Sequence, residues 1–338
     1  MNQGAILRAE SSRDFFCLGP VEDRTGSSVK HREYDEHFMI KGEGTVKKGY
    51  LFLLVWIACL AVAATTCHAG HGEKRTPKKA ILMAAFGTTV PEAQKAFDPI
   101  HARAKQAFPG VEIRWAYTSN IVRTKLAKQG RVLDSPETAL AKLMDEGYTD
   151  VAILSLQTIP GEEFHNLVQN ARLFAQMAGG FEKVIVARPL LSSHEDMVRV
   201  AKAMIKSIPA ARKPEDAVLL MGHGSGKHPA DAIYGAMNQV FSELDPNIWL
   251  ATVEGYPSLN DLLPKLREKK SGKTYLLPFM LVAGDHARND MAGDEPDSWK
   301  SVLTKNGHPC EVTLKGTGEN PAIVEVWLDH LKEAYSHL

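Results

Sequence analysis

Apolar residues in this chain fall into short unbroken runs, separated by longer stretches where they recur at helical spacing. The first run, Lys78 to Phe86, ends in Gly87-Thr88-Thr89. A strand covered on both faces reads this way, as it does in a parallel sheet. The same signal predicts strands over Val111–Tyr117, Val151–Gln157 and Lys183–Ala187. Helices are predicted over Pro91–Phe108, from Asp134-Ser135-Pro136-Glu137 to Gly147, and from Glu162 to about Met177. The order then repeats. Strands are expected over Ala217–Met221, Ile248–Val253, Lys273–Leu281 and Glu311–Lys315, with a closing helix over Pro321–Tyr335. Strands alternating with helices imply parallel sheets with right-handed crossovers.

The halves also resemble each other locally. Ile81 to Thr88 matches Val218 to Ser225 in pattern, and Thr158 to Glu163 matches Leu281 to His286. Two similar α/β domains follow, over 78–195 and 196–338, each with a four-stranded parallel sheet and with a cleft between them.

The N-terminal stretch departs from this pattern. Residues 1–38 are polar and aperiodic, and are expected to be a non-native or disordered extension. Lys41, Lys47 and Lys48 then precede an apolar run from Tyr50 to Ala64, with small residues up to Ala69-Gly70. That is the order of a secretory signal peptide, 39–69, starting at Met39. A run of about fifteen residues is short for a membrane span, so cleavage and a periplasmic location are expected, with no stable membrane insertion; an uncleaved anchor is the alternative. Cys17, Cys59 and Cys67 precede the cleavage point, which leaves Cys310 alone in the mature domain and no internal disulfide.

Composition narrows the classes of partner. The 338 residues are 44% apolar, ample for a core, and 40 basic side chains balance 40 acidic ones. That balance argues against a general nucleic-acid binder. An anionic ligand has to be met by a local basic cluster; Arg123, Lys125, Lys128 and Arg131 form a basic run that is either a solvated face or suited to a polycarboxylate ligand. A homo-oligomer is an open alternative to a single chain.

The chemistry gathers where strands end, since ligands bind at the carboxyl edge of such sheets. In the second half three strand ends carry His223, Glu254 and His286. Two imidazoles and a carboxylate suit a borderline divalent ion such as Co²⁺, Fe²⁺, Ni²⁺ or Zn²⁺. The usual structural zinc spacings are missing, which points to an ion held briefly. Each residue also has a plain structural role open to it: His286 as a helix cap, Glu254 in an ion pair, His223 as a turn residue. Glu162 and Glu163 occupy the equivalent edge of the first half, where a helix N-terminus would also favour them. His165, one turn further on, is either solvated or a ligand to a metal or haem. Gly222 to Gly226 lacks the ending of a phosphate-binding Walker loop, and no dinucleotide fingerprint follows the first strand.

At these residues the sequence resembles the class II tetrapyrrole chelatases, and most of all the anaerobic-type sirohydrochlorin cobaltochelatases. The matching stretches are Phe86-Gly87-Thr88, Leu156 to Phe164, Met221-Gly222-His223-Gly224-Ser225, Val253 to Pro257 and Pro278 to His286. The resemblance runs from about Lys78 to the C-terminus. It implies two flavodoxin-like domains with the active site between them, and His223, Glu254 and His286 as both metal ligands and catalytic residues. It further implies insertion of Co²⁺ into sirohydrochlorin with release of two protons, a step of cobalamin-type tetrapyrrole synthesis. Iron is an alternative metal. Such enzymes are normally cytoplasmic, whereas this chain carries an export signal. Export raises a second reading, a periplasmic carrier of tetrapyrrole, haem or metal with residual chelatase activity and with His165 as haem ligand.

Overall fold

The computed structural model describes residues 75–269 and 272–338; the stretches read as extension and signal peptide lie outside them. Among the described residues no helix is long and apolar enough to cross a membrane. The first half contains β1 (Lys79–Ala85), β2 (Glu112–Tyr117), β3 (Asp150–Ser155) and β4 (Lys183–Val186). The second contains β5 (Ala217–Gly222), β6 (Ile248–Thr252), β7 (Thr274–Pro278) and β8 (Cys310–Val312). All pairings are parallel, in the orders β2-β1-β3-β4 and β6-β5-β7-β8. The central strands β1 and β5 are the most apolar and nearly fully buried, as expected where both faces are covered.

The helices between them are α1 (Pro91–Gln94), α2 (Phe97–Ala107), α3 (Asn120–Ala127), α4 (Pro136–Asp145) and α5 (Glu162–Gln176), then α6 (His194–Ser207), α7 (Ala232–Leu244), α8 (Leu259–Glu268), α9 (Trp299–Lys305) and α10 (Pro321–Ser336). Several begin on a side-chain cap: Ser119 accepts from Val122 N, Ser135 from Thr138 N, and Asn320 from Ala322 N ahead of Pro321.

Two element boundaries need adjusting, and one stretch gains an element. The helix predicted over Pro91–Phe108 is broken at Lys95-Ala96. Pro99 has no N–H for the Lys95 carbonyl, and its ring would press on that carbonyl, so the helix restarts with Pro99 in its first turn. The strand predicted over Lys273–Leu281 stops at Pro278, where a donor is missing from the ladder. The basic run at 123–131 begins on a helix, α3, capped by Ser119.

The core has three parts. One lies between the first sheet and α4 and α5, another between the second sheet and α8 and α9. The largest joins the facing sides of both sheets through α2, α6, α7 and α10. Although α10 follows the second half in sequence, it packs on the first. Trp327 is fully buried in that shared core, Tyr335 meets Phe108 with ring centres 4.8 Å apart, and Glu333 pairs with Arg188 at 2.9 Å.

Candidate active site

In the order β6-β5-β7-β8 the chain leaves β5 toward β6, then returns to β7 on the other side. Loops diverge at that switch point, between β5 and β7, and open a crevice at the carboxyl edge. His223 follows β5 and His286 lies in the loop after β7, so the topology delivers both to the crevice. Their ring centres are 4.8 Å apart and their planes nearly perpendicular, at 89°. Glu254 follows β6, on the far side of β5. Its backbone N–H is tied to the His223 carbonyl at 2.8 Å, yet its side chain is exposed and makes no ion pair among the described residues. The two imidazoles are therefore adjacent while the carboxylate stands at the rim, and no group of three ligating side chains is preassembled among the described residues.

Hydrogen bonds set the tautomer of each ring. His223 Nδ1 lies 2.7 Å from the Gly224 carbonyl, which only accepts, so Nδ1 carries the hydrogen. His286 Nδ1 lies 2.6 Å from the Asp290 carboxylate, with the same consequence. In the neutral rings this leaves both Nε2 lone pairs available, and neither Nε2 has a hydrogen bond among the described residues. Donation of the other ring N–H to a carbonyl or carboxylate is the usual support of a metal-binding histidine. With metal–nitrogen bonds of about 2.1 Å and ring centres about 1.1 Å beyond, two imidazoles on one ion have centres roughly 5 Å apart. The observed separation is close to that. His286 does not cap the following turn; that turn, Ala287–Met291, is π-helical and sets Asp290 beneath the ring.

The loop bearing His223 is held on three sides. Gly222 lies against Tyr234, where an added Cβ would come within 2.9 Å of the ring. Gly224 adopts φ +75°, and a Cβ there would meet Thr252 at 2.8 Å and the Glu254 carbonyl at 2.9 Å. The buried Asp231 carboxylate accepts from Ser225 N at 3.1 Å, Gly226 N at 2.9 Å and Ser225 Oγ at 3.2 Å.

The crevice continues into a cleft of about 710 Å³ shared with the carboxyl edge of the first sheet. The opposite wall carries Phe86, Ile121, Lys125 and Gln157 to Ile159, together with Glu162 and Glu163 at the start of α5. Burial pushes the Glu163 carboxyl above the ordinary carboxylate value, while Thr118 Oγ, donating at 3.3 Å, and the field of His223 oppose the shift. His165 lies outside this lining. Its ring is exposed, its Nδ1 donates to the Gly161 carbonyl at 2.9 Å, and His228 sits 5.2 Å away, centre to centre. His165 therefore sits on the surface beside the cleft and, among the described residues, is not placed in it as a haem ligand would be.

A family model described as cobalt chelatase (CbiK) matches residues 79–336. The chain belongs to that family. Members with curated names include the sirohydrochlorin cobaltochelatase CbiKC of Nitratidesulfovibrio vulgaris, 41% identical over 261 residues, which span 77% of this chain and 92% of that protein. The sirohydrochlorin cobaltochelatase of Salmonella typhimurium is 36% identical over 76% of this chain and 96% of its own length. Among solved structures, the sirohydrochlorin chelatase SirB of Bacillus subtilis subspecies spizizenii in complex with cobalt superposes with a TM-score of 0.53 at 15% identity, covering 77% and 96% of the two chains. At that identity the likeness is one of fold, and it matches the two-sheet architecture expected from the sequence.

Asp290 and Asp231 escaped the sequence reading. Asp290 had a signal, four residues after His286 and so on the same side of a helical turn. Asp231 had none, because its partners are two backbone N–H groups and one hydroxyl of a loop whose path the spacing does not reveal.

Proposed function

We propose that this cobalt chelatase family member inserts Co²⁺ into sirohydrochlorin, with His223 and His286 holding the ion through Nε2. The observation that carries the assignment is the adjacency of two imidazoles with both Nε2 lone pairs free, inside a cleft large enough for a flat macrocycle. Glu254, exposed at the rim, completes the site when the ion arrives and offsets part of its charge. The ion is substrate, and a site assembled only partly in advance suits an ion that has to leave.

The macrocycle gives up two pyrrole protons as the ion enters. One is taken by Glu163, on the opposite wall, whose raised pKa makes it a stronger base than an ordinary carboxylate. The other is taken by His223, whose Nε2 lone pair is released as the ion passes to the macrocycle nitrogens. Charge balances: Co²⁺ enters and two protons go to the protein and then to water.

Affinity at a nitrogen-rich site follows the general order of divalent metals, so the ligand set alone does not select cobalt. Cobalt and iron are both expected to be inserted, with cobalt the physiological metal by family kinship. The test is metallation of sirohydrochlorin, followed by its absorption spectrum, with Co²⁺, Fe²⁺, Ni²⁺ and Zn²⁺. Insertion of Co²⁺ is expected, with loss of roughly a thousandfold or more in His223→Ala and His286→Ala, as for groups whose removal leaves no substitute. A wild-type protein that leaves the spectrum unchanged with every ion overturns the assignment.

The apolar and small residues of 39–69 support export. A periplasmic fraction containing a chain that starts after Ala69 is expected, and a chain retained in the cytoplasm would exclude it.

A further inference from the structure

The cleft is unevenly charged. Among its described lining residues the acids are Glu162, Glu163, Glu254 and Asp285, and the cations are Lys125 and Lys227. This excess of acids suits an arriving metal ion but opposes a macrocycle that bears several carboxylates. Recognition of the macrocycle must overcome that opposition locally.

The two lysines are placed for this. Lys125 is on α3 in the first half and Lys227 is in the loop after β5 in the second, so they come from the two halves that form the cleft. Neither makes an ion pair or a side-chain hydrogen bond among the described residues. Two other members of the basic run that holds Lys125 are engaged elsewhere. Arg123 donates to the carbonyls of Tyr117 and Thr118, and Arg131 donates to Gln94. Lys128 lies outside the cleft lining.

An apolar surface accompanies the cations. Ile121 and Phe86 are large apolar side chains left 69% and 47% exposed, and both line the cleft. Ile121 precedes Lys125 by one helical turn, which puts the two on the same face of α3. The Phe86 ring centre is 6.4 Å from that of His223. Exposed apolar groups concentrated in a cleft mark a ligand surface.

Resting on the chelatase reading, we propose that Phe86 and Ile121 form the platform for the face of the macrocycle and that Lys125 and Lys227 bind its peripheral carboxylates from the two halves. The pair thereby selects tetrapyrroles with free acid side chains and fixes the ring over His223 and His286.

The experiment measures equilibrium binding of metal-free sirohydrochlorin, by its own absorption and fluorescence, alongside steady-state metallation. Wild type is compared with Lys125→Gln, Lys227→Gln, the double variant and both Lys→Arg variants. Each Gln variant is expected to weaken binding and raise KM for the tetrapyrrole about tenfold, the size of one charge-assisted contact. The double variant is expected to lose about a hundredfold in tetrapyrrole binding and most of its salt dependence, while the KM for Co²⁺, whose ligands are untouched, stays within about twofold of wild type. Lys→Arg is expected to restore binding. A double variant that binds sirohydrochlorin within twofold of wild type, at the same salt dependence, overturns the role of the lysines and leaves the chelatase reading intact. A wild-type protein that binds the free acid but metallates it with no ion removes the chelatase reading while the carboxylate clamp stands.

Discussion

The two histidines differ in what supports them, and the difference can be tested. The His223 N–H goes to a backbone carbonyl that no substitution removes. The His286 N–H goes to the Asp290 side chain at 2.6 Å. Asp290→Ala frees the His286 ring to rotate and to change tautomer. Loss of such a partner generally lowers metal affinity about 10- to 100-fold, and a fall in that range is expected in Co²⁺ titrations of the protein alone. Wild-type affinity in the variant would show that His286 is held by packing. Glu163 makes a second prediction, in pH. Its carboxyl is raised by burial, so the folded chain keeps that proton to higher pH than the unfolded chain. Stability contributed by the protonated form is complete below the ordinary value of about 4.3, falls as pH climbs toward the raised value and stays lower above it. Glu163→Gln has no such loss. The variant is expected to melt above wild type at pH 7 and level with it near pH 4, while metallating more slowly. A melting difference that does not vary with pH would show that burial of the charge is not its source.

At the scale of elements, the glycine-rich loop after β5 trades conformational freedom for position. Gly224→Ala introduces a Cβ at φ +75° into contact with Thr252 and the Glu254 carbonyl. Strain of about 1–3 kcal/mol is expected, with metallation falling further than stability does, because the loop carries His223 and abuts the Glu254 backbone. Thermal melts beside rate measurements check this, and equal losses would mean the loop is only structural. This loop was legible from the sequence, since an apolar run ending in Gly-His-Gly has few structural uses. So were the central strands, because burial on both faces leaves no polar alternation to confuse the pattern. The ends of elements were less legible. Pro99 and Pro278 each stop an element by withholding a donor, which apolar spacing alone does not register. The tautomers were not legible at all. They depend on where the Gly224 carbonyl and the Asp290 side chain lie, and both follow from loop geometry. Glu254, His223 and His286 all line the cleft. The strand order nevertheless makes the three ends unequal, since β5 and β7 flank the switch point and β6 lies beyond β5.

For the whole molecule, the relative placement of the two sheets is a functional quantity. Glu163, Lys125 and Phe86 stand on one half, and His223, His286 and Lys227 on the other. What joins the halves is the shared core, and α10 belongs to it: the last helix in sequence packs on β3 of the first sheet and on α6, with Trp327 fully buried. A chain built this way cannot unfold one half while keeping the other, since opening either exposes the same side chains. Denaturant unfolding followed by fluorescence and by far-UV circular dichroism is therefore expected to give coincident single transitions. Trp327→Ala leaves a cavity in that shared core, at a cost of about 3–5 kcal/mol. The midpoint should fall with the slope unchanged, since the surface exposed on unfolding stays nearly the same. Because Trp327 does not line the cleft, the variant that remains folded in dilute buffer should still metallate. Two separated transitions, in wild type or variant, would show that the halves are independent and that α10 is a surface strap; a fall in slope without a shift in midpoint would instead place the effect in the unfolded chain.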